Sequence, residues 1–142
     1  MKEHQLGATL RVGQWLAALI GALNCVLVPA LFAEQNAFPL PGLYFIQIIL
    51  VGLGVLGIVA VRPRKGLPWL AWPWAAAGVM LAFVVLGGFS IGPYLVPAFL
   101  AFVVTGVLVD LEGGGAMARH AGLVLVAAVI QAAVMVMGTL IT

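Results

Sequence analysis

What this chain has least of is charge. Its 142 residues carry six basic and four acidic side chains, 7% of the sequence, where a soluble domain carries roughly a quarter. So few charged groups cannot clothe a water-facing surface. Hydrophobic residues make up 65% of the chain and the mean hydropathy is +1.25. Lipid must therefore cover most of the exterior. The net charge of +2 and the pI near 9.1 do not point to a nucleic-acid partner. The excess is two charges, and topology accounts for the basic residues.

Other absences narrow the chemistry. Cys25 is the single cysteine, so an intramolecular disulfide and a cysteine metal cluster are both excluded. His4 and His120 are the two histidines, too few and too superficial for a haem held between two histidines inside the bilayer. No Asp, Glu, Lys, Arg or His falls deep in an apolar run. Proton-coupled transporters usually carry such a residue, so these helices offer no candidate for that activity. No Ser or Cys has a histidine base in plausible reach, and no carboxylate pair faces across a pocket. Neither catalytic nor metal-ligating residues are expected, and the chain is not read as an enzyme. Long loops are missing too, which leaves no room for a soluble domain: residues 1–142 form one membrane domain.

What is present is five apolar runs, at about 9–32, 43–61, 69–88, 94–109 and 121–141. A helix needs about 20 apolar residues to cross the hydrocarbon core. The first run resembles a signal peptide but is longer than a usual h-region, and Leu31 is a poor residue before a cut; it is read as a retained helix. Runs three and four are separated by Gly87-Gly88-Phe89-Ser90-Ile91-Gly92-Pro93, which predicts a turn. The expected fold is an all-α integral membrane bundle of five transmembrane helices, N-terminus inside and C-terminus outside. Lys2, Arg11, Arg62, Arg64, Lys65 and Arg119 then all fall on the inner side, as the positive-inside rule requires. Tyr44 and Tyr94 fall at outer ends, and Trp69, Trp72 and Trp74 cluster at an inner end, where amphipathic rings settle.

Gly52-Leu53-Gly54-Val55-Leu56-Gly57 matches the dinucleotide fingerprint in letters. It sits within a span, with no strand before it, so the glycines are read as helix-packing residues instead. Gly13, Ala17, Gly21 and Cys25 make a smooth stripe at spacing four on the first run. Ala71, Ala75, Gly78 and Ala82 make another, and Ala121, Ala128 and Ala132 a third.

The polar intramembrane residues are Asn24, Gln47, Thr105 and Gln131, with Gln14 nearer the surface. An amide in hydrocarbon needs a hydrogen-bond partner. Interhelical bonding satisfies that need; the alternative is that Asn24, Gln47 and Gln131 converge on a polar small molecule or quinone. Asp110 and Glu112 close the fourth run, where carboxylates oppose the helix dipole. A solvated ion-pair rim with Arg62, Arg64, Lys65 and Arg119 is expected there. His120 opens the fifth run. With Ala116 four residues before it, the spacing resembles the pigment-ligating pattern of light-harvesting polypeptides, which makes His120 a weak candidate for cofactor binding.

These features point to a non-catalytic accessory or structural subunit of a larger membrane complex, respiratory, photosynthetic or transport, in a bacterial inner membrane. One alternative is a small homo-oligomeric transporter or channel for a neutral or hydrophobic solute. A second is a quinone- or pigment-binding membrane subunit. Expected partners are membrane lipid and other membrane subunits or further copies of the chain. No cofactor is otherwise expected.

Overall fold

In the computed structural model, the described residues are 2–32, 42–61, 71–113 and 117–141. They form five α-helices: α1 (Lys2–Leu31), α2 (Gly42–Val61), α3 (Trp72–Leu86), α4 (Val96–Gly113) and α5 (Met117–Ile141). A short 3₁₀ turn, Gly92–Leu95, leads into α4. No strand occurs among the described residues.

Four of these segments are long and apolar enough to cross a membrane: Lys2–Leu31, Gly42–Val61, Gly92–Gly113 and Met117–Ile141. The chain is a helical membrane bundle. Its α3 is apolar but has 15 residues, which gives about 22 Å of helix against about 30 Å of hydrocarbon core. Of the third run expected at 69–88, residues 69 and 70 lie outside the described residues, and Gly87 and Gly88 already belong to the turn. Pro73 in the first turn of α3 suits its start, because a proline there removes a donor that has no helical partner. The first helix begins earlier than its apolar run. Lys2 to Thr9 continue the helix with exposed side chains, and Glu3 in the first turn suits the dipole.

The turn between α3 and α4 is tight. The Gly87 and Gly92 amides donate to Phe83 O and Gly87 O, each at 2.8 Å. A Cβ on Gly92 would stand 2.6 Å from Gly87 backbone atoms. Glycine at 87 and 92 therefore lets the chain fold back on itself and set α3 against α4.

Around this hairpin, α1 lies along α4 and α2, while α5 lies along α3. The core between them contains Phe83, Phe102, Ile48, Met80, Leu95 and Val55, all but fully buried. In lipid, close van der Waals contact replaces hydrophobic burial as the force between helices. At four interfaces a glycine stands where an added Cβ would collide with the facing helix. Gly21 of α1 faces the Phe102 ring of α4. Gly52 of α2 would place a Cβ 2.6 Å from Cys25 Cβ of α1. Gly106 of α4 lies under the Trp74 indole of α3, and Gly78 of α3 meets the Val124 carbonyl and Ala127 of α5.

The other small residues singled out in the sequence vary. Ala17 is buried, Gly13 faces Leu108, and Gly54 lies against Trp72. Gly57 has no other part of the described chain within 4 Å. On α5, Ala121 is exposed and Ala128 and Ala132 are half-buried.

Candidate functional site

Glycine sets up a buried polar point of the bundle. Gly106 and Asp110 are four residues apart, on one face of α4. Without a side chain at 106, the Trp74 indole lies flat on α4; a Cβ there would be 2.8 Å from the ring. From that position the Trp74 Nε1–H donates to Asp110 Oδ2 at 3.0 Å. His120, in the first turn of α5, brings Nδ1 to 2.9 and 2.8 Å from the two carboxylate oxygens of Asp110. Against a carboxylate, which can only accept when ionised, Nδ1 is the donor. The Asp110 side chain is 1% exposed and that of His120 20%. One carboxylate thus fastens α3, α4 and α5 together.

For Asp110 this corrects the expectation of a solvated rim: its side chain is out of water, and among the described residues its side-chain partners are an indole and an imidazole. Arg119 is exposed, and Arg62, Arg64 and Lys65 lie outside the described residues. The trio was hidden in the sequence because Trp74 reads as one of three belt tryptophans. Among the other two, Trp72 is exposed and Trp69 lies outside the described residues. A signal was available in the Gly106–Asp110 spacing, a gap and a carboxylate on one face, each needing something to fill it.

Two residues further on, Glu112 reaches the other way, to α1. Gln14 Nε2 donates to Glu112 Oε2 at 2.6 Å and to Leu108 O at 3.2 Å. Arg11 Nε donates to Glu112 Oε1 at 3.1 Å. Gln14 is buried, while Arg11 is more than half exposed. Both carboxylates that oppose the dipole of α4 therefore have donors from other helices.

The intramembrane amides do not meet at one point. Gln47 of α2 and Gln131 of α5 form a reciprocal pair, Nε2 to Oε1, at 2.6 and 3.0 Å. The Tyr44 hydroxyl donates to Met135 O of α5 at 3.2 Å. Asn24 of α1 turns elsewhere and donates to Tyr94 O at 3.1 Å, in the 3₁₀ turn. Its Oδ1 is buried without a partner among the described residues. Thr105 donates to Ala101 O within its own helix.

Two hollows lie near these residues. A cavity of about 180 Å³ sits between α2, α3 and α5, lined by Tyr44, Phe83, Gly87, Ser90 and Met135 among others. A more open groove of about 340 Å³ runs along α2 past Leu43, Ile46, Gln47, Leu50 and Val51 to Trp72. No three His, Cys, Asp or Glu side chains among the described residues come close enough together to hold a metal ion. Ala116, the small residue of the pigment-type spacing, lies outside the described residues. The chain matches no family model, no curated protein and no solved structure.

Proposed function

We propose that this chain is a non-catalytic subunit of a larger membrane assembly in a bacterial inner membrane. We read it as crossing the bilayer five times, with its N-terminus and all its lysines and arginines inside. The observation that carries the reading is how the polar side chains are spent. Gln14, Gln47, Gln131, Asn24, Asp110 and Glu112 each bond to a different helix of the same chain. A transport path or active site would gather such groups around one space. Distributed in pairs, they join helices into a scaffold. The outer surface of that scaffold is apolar along its length, with Leu16, Leu23, Leu50, Leu100, Leu125 and Val129 all exposed. That surface suits lipid and neighbouring helices alike.

The experiment is gentle detergent extraction from the native membrane, followed by mass analysis of what copurifies. Different chains in fixed stoichiometry support the reading. Copies of this chain alone overturn it in favour of a homo-oligomeric transporter or channel. A reporter fused after Thr142 tests the topology, with an outer location expected.

A second reading has one observation behind it. The groove along α2 is open and mainly apolar, and both Trp72 and Gln47 line it. Those are the features a quinone-type or similar hydrophobic ligand would use. Stoichiometric quinone in the same extraction supports it.

A further inference from the structure

The scaffold reading gives no role to the cavity of about 180 Å³ between α2, α3 and α5. Protein interiors hold few voids larger than a water molecule, so a space of this size beside the core calls for a reason. Its origin lies in how α5 is attached. Helix α5 packs on α3. At this end it joins α2 through the Tyr44 hydroxyl, which donates to Met135 O at 3.2 Å. A bridge made by a long side chain leaves a gap between α2 and α5, with Phe83 and Leu86 of α3 in its wall. The turn after α3 borders the same space with Ser90 and Ile91.

Three properties of the wall define what fits. The first is size. An apolar cavity of about 150 Å³ accepts benzene, so this one takes a single ring with a small substituent and excludes larger ring systems. The second is shape. The Tyr44 and Phe83 rings stand edge to face, 5.8 Å apart at 69°, and rings in such walls favour a further ring in edge-to-face or offset contact. Met135 adds a thioether, which also favours aromatic neighbours.

The third property is polarity. No described residue lining the cavity is charged, so an ion entering it would lose its hydration without replacement. Two hydroxyls line it, and both already donate: Tyr44 to Met135 O, and Ser90 Oγ to Gly87 O at 3.3 Å. A hydroxyl that donates keeps its lone pairs for accepting. What these groups offer a ligand is therefore an acceptor. A ring bearing one O–H or N–H meets that offer, and a lipid acyl chain does not.

We propose that this cavity is a binding site for a neutral single-ring aromatic molecule with one hydrogen-bond donor, of the phenol type, and that Tyr44 and Ser90 are its acceptors. The proposal goes beyond the subunit reading and does not need it. A chain that copurifies with partners and binds no such ring keeps the first reading and loses this one.

The test uses the purified full chain in detergent and three probes followed by fluorine NMR against empty micelles. Para-fluorophenol should bind saturably, one per chain. Para-fluorotoluene is of similar size but has no donor, and should bind up to about tenfold more weakly, the loss of one hydrogen bond. Para-fluorobenzoate, which is charged, should not bind. Leu86→Trp and Ser90→Leu each add bulk at an exposed position in the wall and should weaken para-fluorophenol binding while helix content by circular dichroism stays the same. Tyr44→Phe combined with Ser90→Ala should bring para-fluorophenol down to the level of para-fluorotoluene. Four results overturn the proposal: no saturable signal from para-fluorophenol in the intact chain, equal affinity for the phenol and the toluene, undiminished binding in both bulky variants, or retained phospholipid that the phenol fails to displace, which would give the space to an acyl chain.

Discussion

The first and last helices are both long and apolar, yet they join the molecule in different ways. Helix α1 buries eight residues, from Gln14 to Pro29, between α2 and α4. Helix α5 buries one, Gln131. The stripe Gly13, Ala17, Gly21 and Cys25 lets α1 sink into the bundle, where Gly21 meets Phe102 and Cys25 meets Gly52. On α5 the glycine at the contact belongs to the other helix: Gly78 of α3 receives the Val124 carbonyl and Ala127. What α5 has instead is a peg at each of three levels. His120 bonds to Asp110, Gln131 to Gln47, and the Met135 carbonyl receives Tyr44. Packing embeds α1 on two sides, whereas α5 packs on α3 alone and is tied to α4 and α2 by discrete polar contacts. Mutations should therefore separate the two helices.

The largest effect is expected from His120→Ala. It leaves the Asp110 carboxylate buried with the Trp74 indole as its remaining partner from another helix among the described residues. Leaving a buried hydrogen-bonding group without one of its partners costs about 1–3 kcal/mol, and more where that group is charged. Unfolding in mixed micelles should show that loss. Cysteine pairs placed across α3–α5 should crosslink less, while pairs across α1–α4 should crosslink as before. Equal loosening of both interfaces would show that α5 is no more separable than α1.

Next comes Gly78→Ala. The added methyl would meet the Val124 backbone carbonyl and Ala127, and backbone cannot rotate away. Overpacking of this kind costs about 1–3 kcal/mol, again confined to α3–α5. Gly21→Ala is the matching change on α1. Its methyl meets the Phe102 ring, a side chain that can shift, so the smaller loss is expected there despite the deeper burial. A larger loss from Gly21→Ala would mean that the Phe102 ring is as immovable as backbone.

These contrasts mark how far the sequence could be read. Composition alone dictates helices in lipid, and Gly87 to Pro93 announces the turn because glycine and proline act on the local backbone. Gly21 and Gly52 were visible as packing residues because spacing along one helix defines a face. Which helix meets that face is a tertiary fact. Gly57 has the same local signature as Gly52 and faces no other described helix. Asp110 was harder still. Whether a carboxylate near a helix end is solvated or buried depends on Trp74 and His120, 36 and 10 residues away in sequence. The Gln47–Gln131 pair spans 84 residues. Each amide announces a need for a partner and gives no direction in which to look.

The Gln47–Gln131 pair sets the next rung. Two hydrogen bonds between side chains in lipid are worth on the order of 0.6 kcal/mol each, because an unpaired amide also finds substitutes in the unfolded chain. A double-mutant cycle with Gln47→Leu and Gln131→Leu should therefore give a coupling of about 1 kcal/mol. Coupling near zero would mean that the middle peg contributes orientation and no stability, leaving α5 to its two ends.

The smallest change to the isolated chain is expected from Gly57→Ala. Open space surrounds this position, so the methyl meets nothing, and alanine is the better helix former by up to about 1 kcal/mol. The purified chain should unfold no more easily, and slightly less easily if propensity dominates. Gly52→Ala, on the same helix and five residues away, should weaken the chain, because its methyl meets Cys25 at 2.6 Å. The native membrane adds a second reading to the same pair. If a neighbouring subunit lies on α2 at Gly57, the alanine should reduce copurification of that subunit while leaving the purified chain as stable as before. Unchanged recovery would move the contact surface away from α2 and toward α5, whose outer face is the larger one left open by this chain.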